Sequence, residues 1–227
     1  MLALFEACTS ATPVPVLIKG DPSIALDPAT FVVNPPLLGP PATGSVAAEQ
    51  DLQKLLAWQH RRTADECARA VSEVTPTLQA FYGHPHGPLS AAEVSRLAPD
   101  LEPLLEGVYP LIRQAKDRWT RPRPHLFDSR LQPCVRKEAS SSYPSGHGVL
   151  IAVLDHTLAL IRPDWAPRIH ERSLQIAEDR ILSGAHYPSD ITDGWALGDQ
   201  VFNRLEARAD FRAMVVRLRA DVGPHRR

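Results

Sequence analysis

Apolar residues recur every three or four positions along most of this chain, and that spacing is the period of a helix with one buried face. The pattern predicts helices over residues 47–61 and 63–81. Ser90 and Glu93 have the spacing of a capping box that opens another helix, and Asp100 is expected to cap a longer one. No strand-like alternation of useful length appears, so the sequence predicts an all-α fold.

The helical pattern resumes in the second half of the chain after a break. Residues 124–144 are of mixed polar character and are expected to form a loop, whereas the strongly apolar residues 145–161 are expected to form a helix. Asp164 and Pro167 open the next helix, and a last helical stretch is expected over residues 190–220. Because no internal repeat is present, we predict a single compact helical domain.

Proline and small residues dominate the first 43 residues, which show little periodicity. This composition predicts an extended Pro-rich N-terminal arm, residues 1–43, that lies over the surface of a helical domain formed by residues 44–227. Residues 1–8 are mildly apolar but lack a basic segment. They are interpreted either as the remnant of a signal peptide or as a mature N-terminus.

The charge balance and the length of the apolar runs exclude two classes of protein. The 227 residues carry a formal net charge of −1, so there is no excess of Lys and Arg to neutralise a nucleic-acid backbone. No apolar run approaches the roughly 18 residues that cross a bilayer. We therefore expect neither a general nucleic-acid partner nor a transmembrane segment.

The chain has three cysteines, which is an odd number. Cys8 lies in a context that faintly resembles a lipid-attachment site, and Cys67 and Cys134 would then be left as a pair. Three free buried thiols are the alternative, because a sequence alone does not fix disulfide connectivity.

Three short stretches carry side chains that are suited to a phosphate group, and the first two supply its binding. Lys116 and Arg123 are cations, and the planar guanidinium of Arg matches two phosphate oxygens. Ser145 and Gly146 open a helix whose unpaired N–H groups and dipole attract an anion. His147 follows on the first turn, where it is placed to donate a proton to a leaving oxygen.

The third stretch supplies a nucleophile. His186 and Asp190 are four residues apart, so on one helical turn they face the same way. A carboxylate in that position can keep one imidazole nitrogen protonated and free the other for nucleophilic attack. Arg180 adds a further cation, whereas Arg118 and Arg121 are expected to be exposed charges. Each stretch alone is a weak signal, and their order and joint occurrence make the signal specific.

Together the three stretches resemble the signature of the phosphatidic-acid-phosphatase type 2 superfamily. That signature reads Lys-x6-Arg-Pro, then Pro-Ser-Gly-His, then Ser-Arg-x5-His-x3-Asp, and residues 116–124, 144–147 and 180–190 match it. Within the superfamily the chain is most similar to bacterial class A non-specific acid phosphatases. The resemblance implies the helical bundle of the acid phosphatases and vanadium haloperoxidases, and it covers nearly the whole chain.

The resemblance also implies a role for each residue of the signature. His186 would attack phosphorus and form a phosphohistidine, Asp190 would orient it, and His147 would protonate the departing alkoxide and then activate water. The phosphoryl oxygens would be bound by five residues, Lys116, Arg123, Arg180 and the backbone of Ser145 and Gly146. No cofactor and no metal ion are implied. Phosphate monoesters such as nucleotides, sugar phosphates and aryl phosphates are the expected substrates, with transfer to alcohols as an additional reaction.

One position departs from the signature, because Asp179 stands where the family has Ser. A carboxylate near a bound phosphate would repel it unless it is turned away or paired with an Arg. This residue supports one alternative, a non-catalytic phosphate-binding envelope protein, and a vanadate-dependent haloperoxidase is the other. The resemblance implies a periplasmic or secreted protein, and a homodimer would be unsurprising.

Overall fold

The computed structural model describes residues 26–31, 33 and 36–223, and this part of the chain forms nine α-helices and no β-strand. The predicted all-α fold is confirmed. In chain order the helices are α1 (Val46–Arg61), α2 (Ala64–Ser72), α3 (Leu78–Tyr82), α4 (Ala91–Arg118), α5 (Pro124–Phe127), α6 (Gly146–Ile161), α7 (Ala166–Leu182), α8 (Pro188–Glu206) and α9 (Ala209–Val222). A 3-10 turn, Pro163–Trp165, precedes α7.

Helix starts follow the capping chemistry of the sequence. The hydroxyl of Ser90 accepts a hydrogen bond from the Glu93 N–H, and the Glu93 carboxylate accepts one from the Ser90 N–H at 2.9 Å. Thr63 and Glu66 form the same reciprocal arrangement at the start of α2. Both boxes satisfy N–H groups that have no partner within the helix, so they fix where each helix begins.

The prediction that Asp100 caps a separate helix is wrong, because α4 runs without a break through that position for 28 residues. It does so although Pro99, Pro103 and Pro110 lie inside it. A proline inside a helix costs about 3 kcal/mol. The apolar face of α4 is buried on both sides of these prolines, and burial of each large apolar side chain contributes about 1.5–3 kcal/mol, which outweighs that cost.

Three further boundaries differ from the prediction. Residues 63–81 form two helices that are separated at residues 73–77, where Pro76 lacks the N–H that a continuous helix needs. The stretch 190–220 is also two helices, with a break at residues 207–208. The expected loop 124–144 contains the short helix α5 at its start.

Helix α6 lies at the centre of the fold and packs against α4, α7, α8 and α9. Eleven of its 16 residues are buried and the others are half-buried, which explains its apolar sequence. Glycines on α8 let the two helices approach closely. A Cβ added at Gly194 would lie 2.5 Å from the carbonyl oxygen of Ser145, and one at Gly198 would lie 2.6 Å from that of Val149. The start of α6 is therefore held directly against α8.

A disulfide joins Cys67 of α2 to Cys134, with their Cα atoms 5.8 Å apart, so of the two alternatives for this pair the structure has the disulfide. It anchors the segment between α5 and α6 to α2. The expectations for Cys8 and for residues 1–8 lie outside the described residues.

Part of the predicted N-terminal arm is described. Leu26, Val33 and Leu37 pack against the core, and residues 36–44 contain no helix. The division of the chain at residue 43 stays a prediction. Among the helices described, none is both long and apolar enough to cross a membrane.

Candidate active site

The predicted site residues lie at the ends of five helices. Lys116 is in the last turn of α4, Arg123 precedes α5, Ser145 precedes α6, Arg180 is in the last turn of α7, and His186 lies just before α8. Contacts among them show that these ends meet. The Arg123 guanidinium reaches the ring of His186, and the charges of Arg180 and Arg123 both lower the pKa of His147.

The hydrogen bonds of His186 determine its tautomer. Nε2 lies 3.0 Å from Nη1 of Arg123, and Nδ1 lies 3.4 Å from Oδ2 of Asp190. A guanidinium only donates, so Nε2 must accept and carries the lone pair. The proton is then on Nδ1 and faces the carboxylate. Burial, followed by the charge of Arg123, lowers the pKa of His186 to about 3, so the ring is neutral at any mildly acidic pH.

Asp190 is fully buried and both of its carboxylate oxygens accept hydrogen bonds. Oδ2 accepts from the hydroxyl of Ser142 and from the N–H of Tyr187 at 3.0 Å, and Oδ1 accepts from Arg121 at 2.6 Å. Burial alone would raise the pKa of Asp190. Its interactions with His186, Arg121 and Ser142 outweigh the burial and lower that pKa. The carboxylate is therefore ionised and fixed in orientation.

His147 is held by a backbone group that sequence motifs do not reveal. Its Nε2 lies 3.0 Å from the carbonyl oxygen of Glu73, which only accepts, so Nε2 carries a proton and Nδ1 is the nitrogen available for proton transfer. Burial lowers the pKa of His147 well below its usual range, and the positive charge of Arg180 lowers it further. Without a bound anion this ring is neutral.

Lys116 and Arg123 are oriented by the segment that precedes α6. Nζ of Lys116 donates to the carbonyl oxygen of Ser141 at 2.6 Å, and Nε of Arg123 donates to that of Ser140 at 2.9 Å. Burial and the neighbouring Arg123 charge lower the pKa of Lys116 to about 7. Two cations this close, held mainly by neutral carbonyl oxygens, form a region that favours an anion.

Arg180 has unused hydrogen-bonding capacity. Its side chain is buried, and Nη2 donates to the carbonyl oxygen of Ala70 and to Oε2 of Glu73, the latter at 3.1 Å. Its buried Nε–H has no hydrogen-bond partner among the described residues. A buried donor without an acceptor costs about 1–3 kcal/mol, and a phosphoryl oxygen is an acceptor of suitable charge.

The start of α6 only partly fits the expectation for it. The N–H of Ser145 donates to the carbonyl oxygen of Asp190 at 2.9 Å, and the role predicted for this backbone toward phosphate stays a prediction. The Ser145 hydroxyl accepts from the N–H of Gly148, which leaves its own proton to donate. Together with the N–H groups of Gly146 and His147 in the first turn, this hydroxyl keeps the helix start suited to an anion.

Asp179, the residue that departs from the signature, is neutralised within the structure. Its fully buried carboxylate accepts two hydrogen bonds from Arg69 of α2, from Nε at 2.7 Å and from Nη2 at 2.8 Å. Of the two arrangements that would reconcile this carboxylate with a bound phosphate, pairing with an Arg is the one observed.

The sequence did not predict four residues that hold the site, namely Arg121, Asp51, Glu73 and Arg69. For Arg121 the prediction that was made is wrong. Arg121 was expected to be exposed, but its side chain is 9% exposed and bridges Asp51 and Asp190. Glu73 is buried and pairs with Arg172 and Arg180. The fourth is Arg69, described above. No spacing in the sequence identifies these residues, because their partners lie about 70 to 110 positions away. The expectation that Arg118 is exposed agrees with the structure.

Comparisons with known proteins find the same likeness as the motifs. Residues 104–202 match the model of the PAP2 superfamily. This range of the chain contains all three signature stretches. The resemblance inferred from the motifs is thus confirmed.

Individual relatives extend the likeness beyond those residues. The chain is 29% identical to an acid phosphatase of Zymomonas mobilis over 78% of its own length and 70% of the relative's. It is 27% identical to a non-specific acid phosphatase of Salmonella typhi, over 71% of this chain and 66% of that one. A non-specific acid phosphatase of Providencia stuartii is 26% identical over 74% of this chain and 70% of the relative. The alignments thus span about two thirds of each relative's length.

Proposed function

We propose that this protein is an acid phosphatase that hydrolyses phosphate monoesters through a phosphohistidine on His186. One observation carries the proposal, namely the tautomer of His186. Arg123 donates to Nε2 and Asp190 faces Nδ1, so the unprotonated nitrogen lies on the side of the cations. The family match and the names of the relatives support a hydrolase that acts on phosphate esters.

In the first step, Arg123 moves its N–H from Nε2 of His186 to a phosphoryl oxygen, and the freed Nε2 lone pair forms a bond to phosphorus while the ester P–O bond breaks. The departing alkoxide takes the proton that Nδ1 of His147 gains from solvent when the anionic substrate binds, and the imidazolium of His186 is stabilised by the carboxylate of Asp190. Negative charge on the phosphoryl oxygens is met by Lys116, Arg123 and the groups around them, which supports a reaction without a metal ion.

In the second step, Nδ1 of His147 accepts a proton from water, the water oxygen bonds to phosphorus, and the P–N bond to His186 breaks. This releases inorganic phosphate and restores both histidines. An alcohol in place of water would give phosphotransfer by the same proton movements. The groups identified contact only the phosphoryl part of the substrate, which supports a broad range of monoesters.

The electrostatics favour reaction at acidic pH. The nucleophile must be unprotonated, and the pKa of about 3 for His186 leaves it so at pH 4–6. The cation Lys116 is charged below its pKa of about 7. Both groups are therefore in the required state on the acidic side of neutrality.

Two accompanying inferences complete the proposal. We infer a periplasmic or secreted location, which the Cys67–Cys134 disulfide supports because such bonds persist in oxidising compartments. A non-catalytic phosphate-binding role is disfavoured, since its support was Asp179, whose charge is compensated by Arg69.

The test compares His186→Ala with a control, His60→Ala, which alters an exposed histidine at the end of α1. Hydrolysis of p-nitrophenyl phosphate, with EDTA present, should be abolished in the first variant and unchanged in the second. A quench that avoids acid should trap labelled phosphate on the wild-type protein and not on His186→Ala. Retained turnover in His186→Ala would refute the mechanism.

A further inference from the structure

We propose that Arg121 is a positioning residue for the pair formed by His186 and Asp190, and that Asp51 of α1 holds Arg121 in place. The inference rests on the proposed function, and it assigns a purpose to two buried charges that the reaction steps above do not use.

The guanidinium of Arg121 lies between two carboxylates. Nη1 donates to Oδ1 of Asp190 at 2.6 Å, and Nη2 donates to Oδ2 of Asp51 at 2.9 Å. Its plane is covered by the ring of Tyr187, whose centroid is 3.8 Å from Cζ. A planar fork that is held at both ends and covered on one face has little freedom to rotate.

The two carboxylate oxygens of Asp190 have different hydrogen-bond partners. Oδ2 faces Nδ1 of His186, and it also accepts from Ser142 and Tyr187. Oδ1 accepts its hydrogen bond from Arg121. The torsion of an Asp carboxylate is intrinsically broad. Fixing Oδ1 therefore fixes the direction in which Oδ2 meets the imidazole, and with it the direction of the opposite nitrogen, Nε2.

Asp51 is itself anchored, which makes the arrangement rigid. Its Oδ1 accepts from the N–H of Ser189 at 3.1 Å, and its Oδ2 accepts from the Ser189 hydroxyl. Ser189 also accepts from Arg121 at 2.7 Å and lies in the first turn of α8, next to Asp190. Helix α1 is thereby connected to the nucleophile through Asp51, which lies 138 positions before Ser189.

The arrangement implies an effect on turnover and not on phosphate binding. The three donor contacts of the Arg121 side chain are with Asp190, Asp51 and Ser189. Misplacement of a reacting group by about 1 Å lowers the rate on the order of 100-fold. We expect Arg121→Gln to lower kcat about 10- to 100-fold. Arg121→Lys, which keeps the charge but lacks the fork, should give a smaller loss.

The experiment measures kcat for p-nitrophenyl phosphate and the inhibition constant of inorganic phosphate. Arg118→Gln and Arg118→Lys are matched controls, because Arg118 lies three residues earlier, is exposed and stacks on Trp119. The expected result is a loss of kcat in the Arg121 variants with an inhibition constant within about twofold of wild type, and no change in the controls.

Two results would overturn the inference. One is a kcat for Arg121→Lys equal to that of Arg118→Lys. The other is an inhibition constant that rises as much as kcat falls, which would make Arg121 a phosphate ligand. If Arg121→Gln does not fold, Arg121→Lys decides. Failure of the proposed function is distinguishable, since it would appear as turnover that survives His186→Ala.

Discussion

Replacing Arg69 by methionine should destabilise the protein far more than replacing its partner. Asp179 is fully buried, and in the structure its carboxylate accepts two hydrogen bonds from Arg69. Arg69→Met leaves this carboxylate without its cation in a site that water does not reach. Breaking a buried pair in this way costs about 3–5 kcal/mol in the free energy of unfolding.

The reverse change is expected to cost less because the two partners differ in burial. The Arg69 side chain is 19% exposed, so after Asp179→Ser its guanidinium can turn toward water. The remaining loss is that of the hydrogen bonds, about 1–2 kcal/mol net. Adding Arg69→Met to Asp179→Ser leaves no buried charge unpaired and should cost no more than about 1 kcal/mol. The coupling energy of the pair is then about 2–4 kcal/mol.

The assay is equilibrium unfolding in guanidinium chloride for the wild type, both single variants and the double variant, with the disulfide intact. KM for p-nitrophenyl phosphate should rise in Arg69→Met, because the uncompensated carboxylate adjoins Arg180. Equal losses in the two single variants that add in the double variant would refute the reasoning, since they would mean that burial of Asp179 does not determine the asymmetry.

Two more predictions concern the anion site. Inhibition by sulfate should weaken above about pH 7 as Lys116 loses its proton, because the charge of sulfate itself does not change near neutrality. In Lys116→Arg the inhibition should not depend on pH in this range, because Arg stays charged. Gly194→Ala should lower both kcat and the free energy of unfolding, the latter by about 1–3 kcal/mol, because the new Cβ meets the backbone of Ser145. Measurements of kcat and of thermal unfolding check this prediction. Unchanged values of both would show that the contact can relax.

The fold was largely predictable because the buried face of a helix requires apolar residues at every third or fourth position of the sequence. The apolar residues 145–161 and the capping box at Ser90 correspond closely to the observed α6 and to the start of α4. The errors came from treating local signals as decisive. Asp100 has a side chain suited to a cap, but the buried face of α4 continues past it, and tertiary burial outweighs local preference.

The site was predictable where its residues lie close in sequence, and not where they meet through folding. The contact of His186 with Asp190 was predicted from their spacing, but on a helical turn that the structure does not have, since His186 lies before α8 and Asp190 in its first turn. The contact of Arg121 with Asp51 gave no such signal, because it depends on how α1 packs beside α8. The same holds for Glu73, whose carbonyl oxygen selects the tautomer of His147.

In the proposed reaction, the substrate supplies the charge that makes His147 an acid. Burial and the positive charge of Arg180 lower the pKa of His147, so the ring has no proton to spare on Nδ1 before the anion binds. A phosphate dianion offsets the charges of Arg180 and Arg123, and an opposite charge nearby raises the pKa of an imidazole. Burial is the largest cause of the low pKa of both histidines, so their contacts make the difference: Nε2 of His147 donates to the carbonyl oxygen of Glu73 and leaves Nδ1 for a proton, whereas Nε2 of His186 accepts from Arg123 and keeps its lone pair. Binding of the substrate therefore assigns the two histidines opposite roles, one as acid and the other as nucleophile.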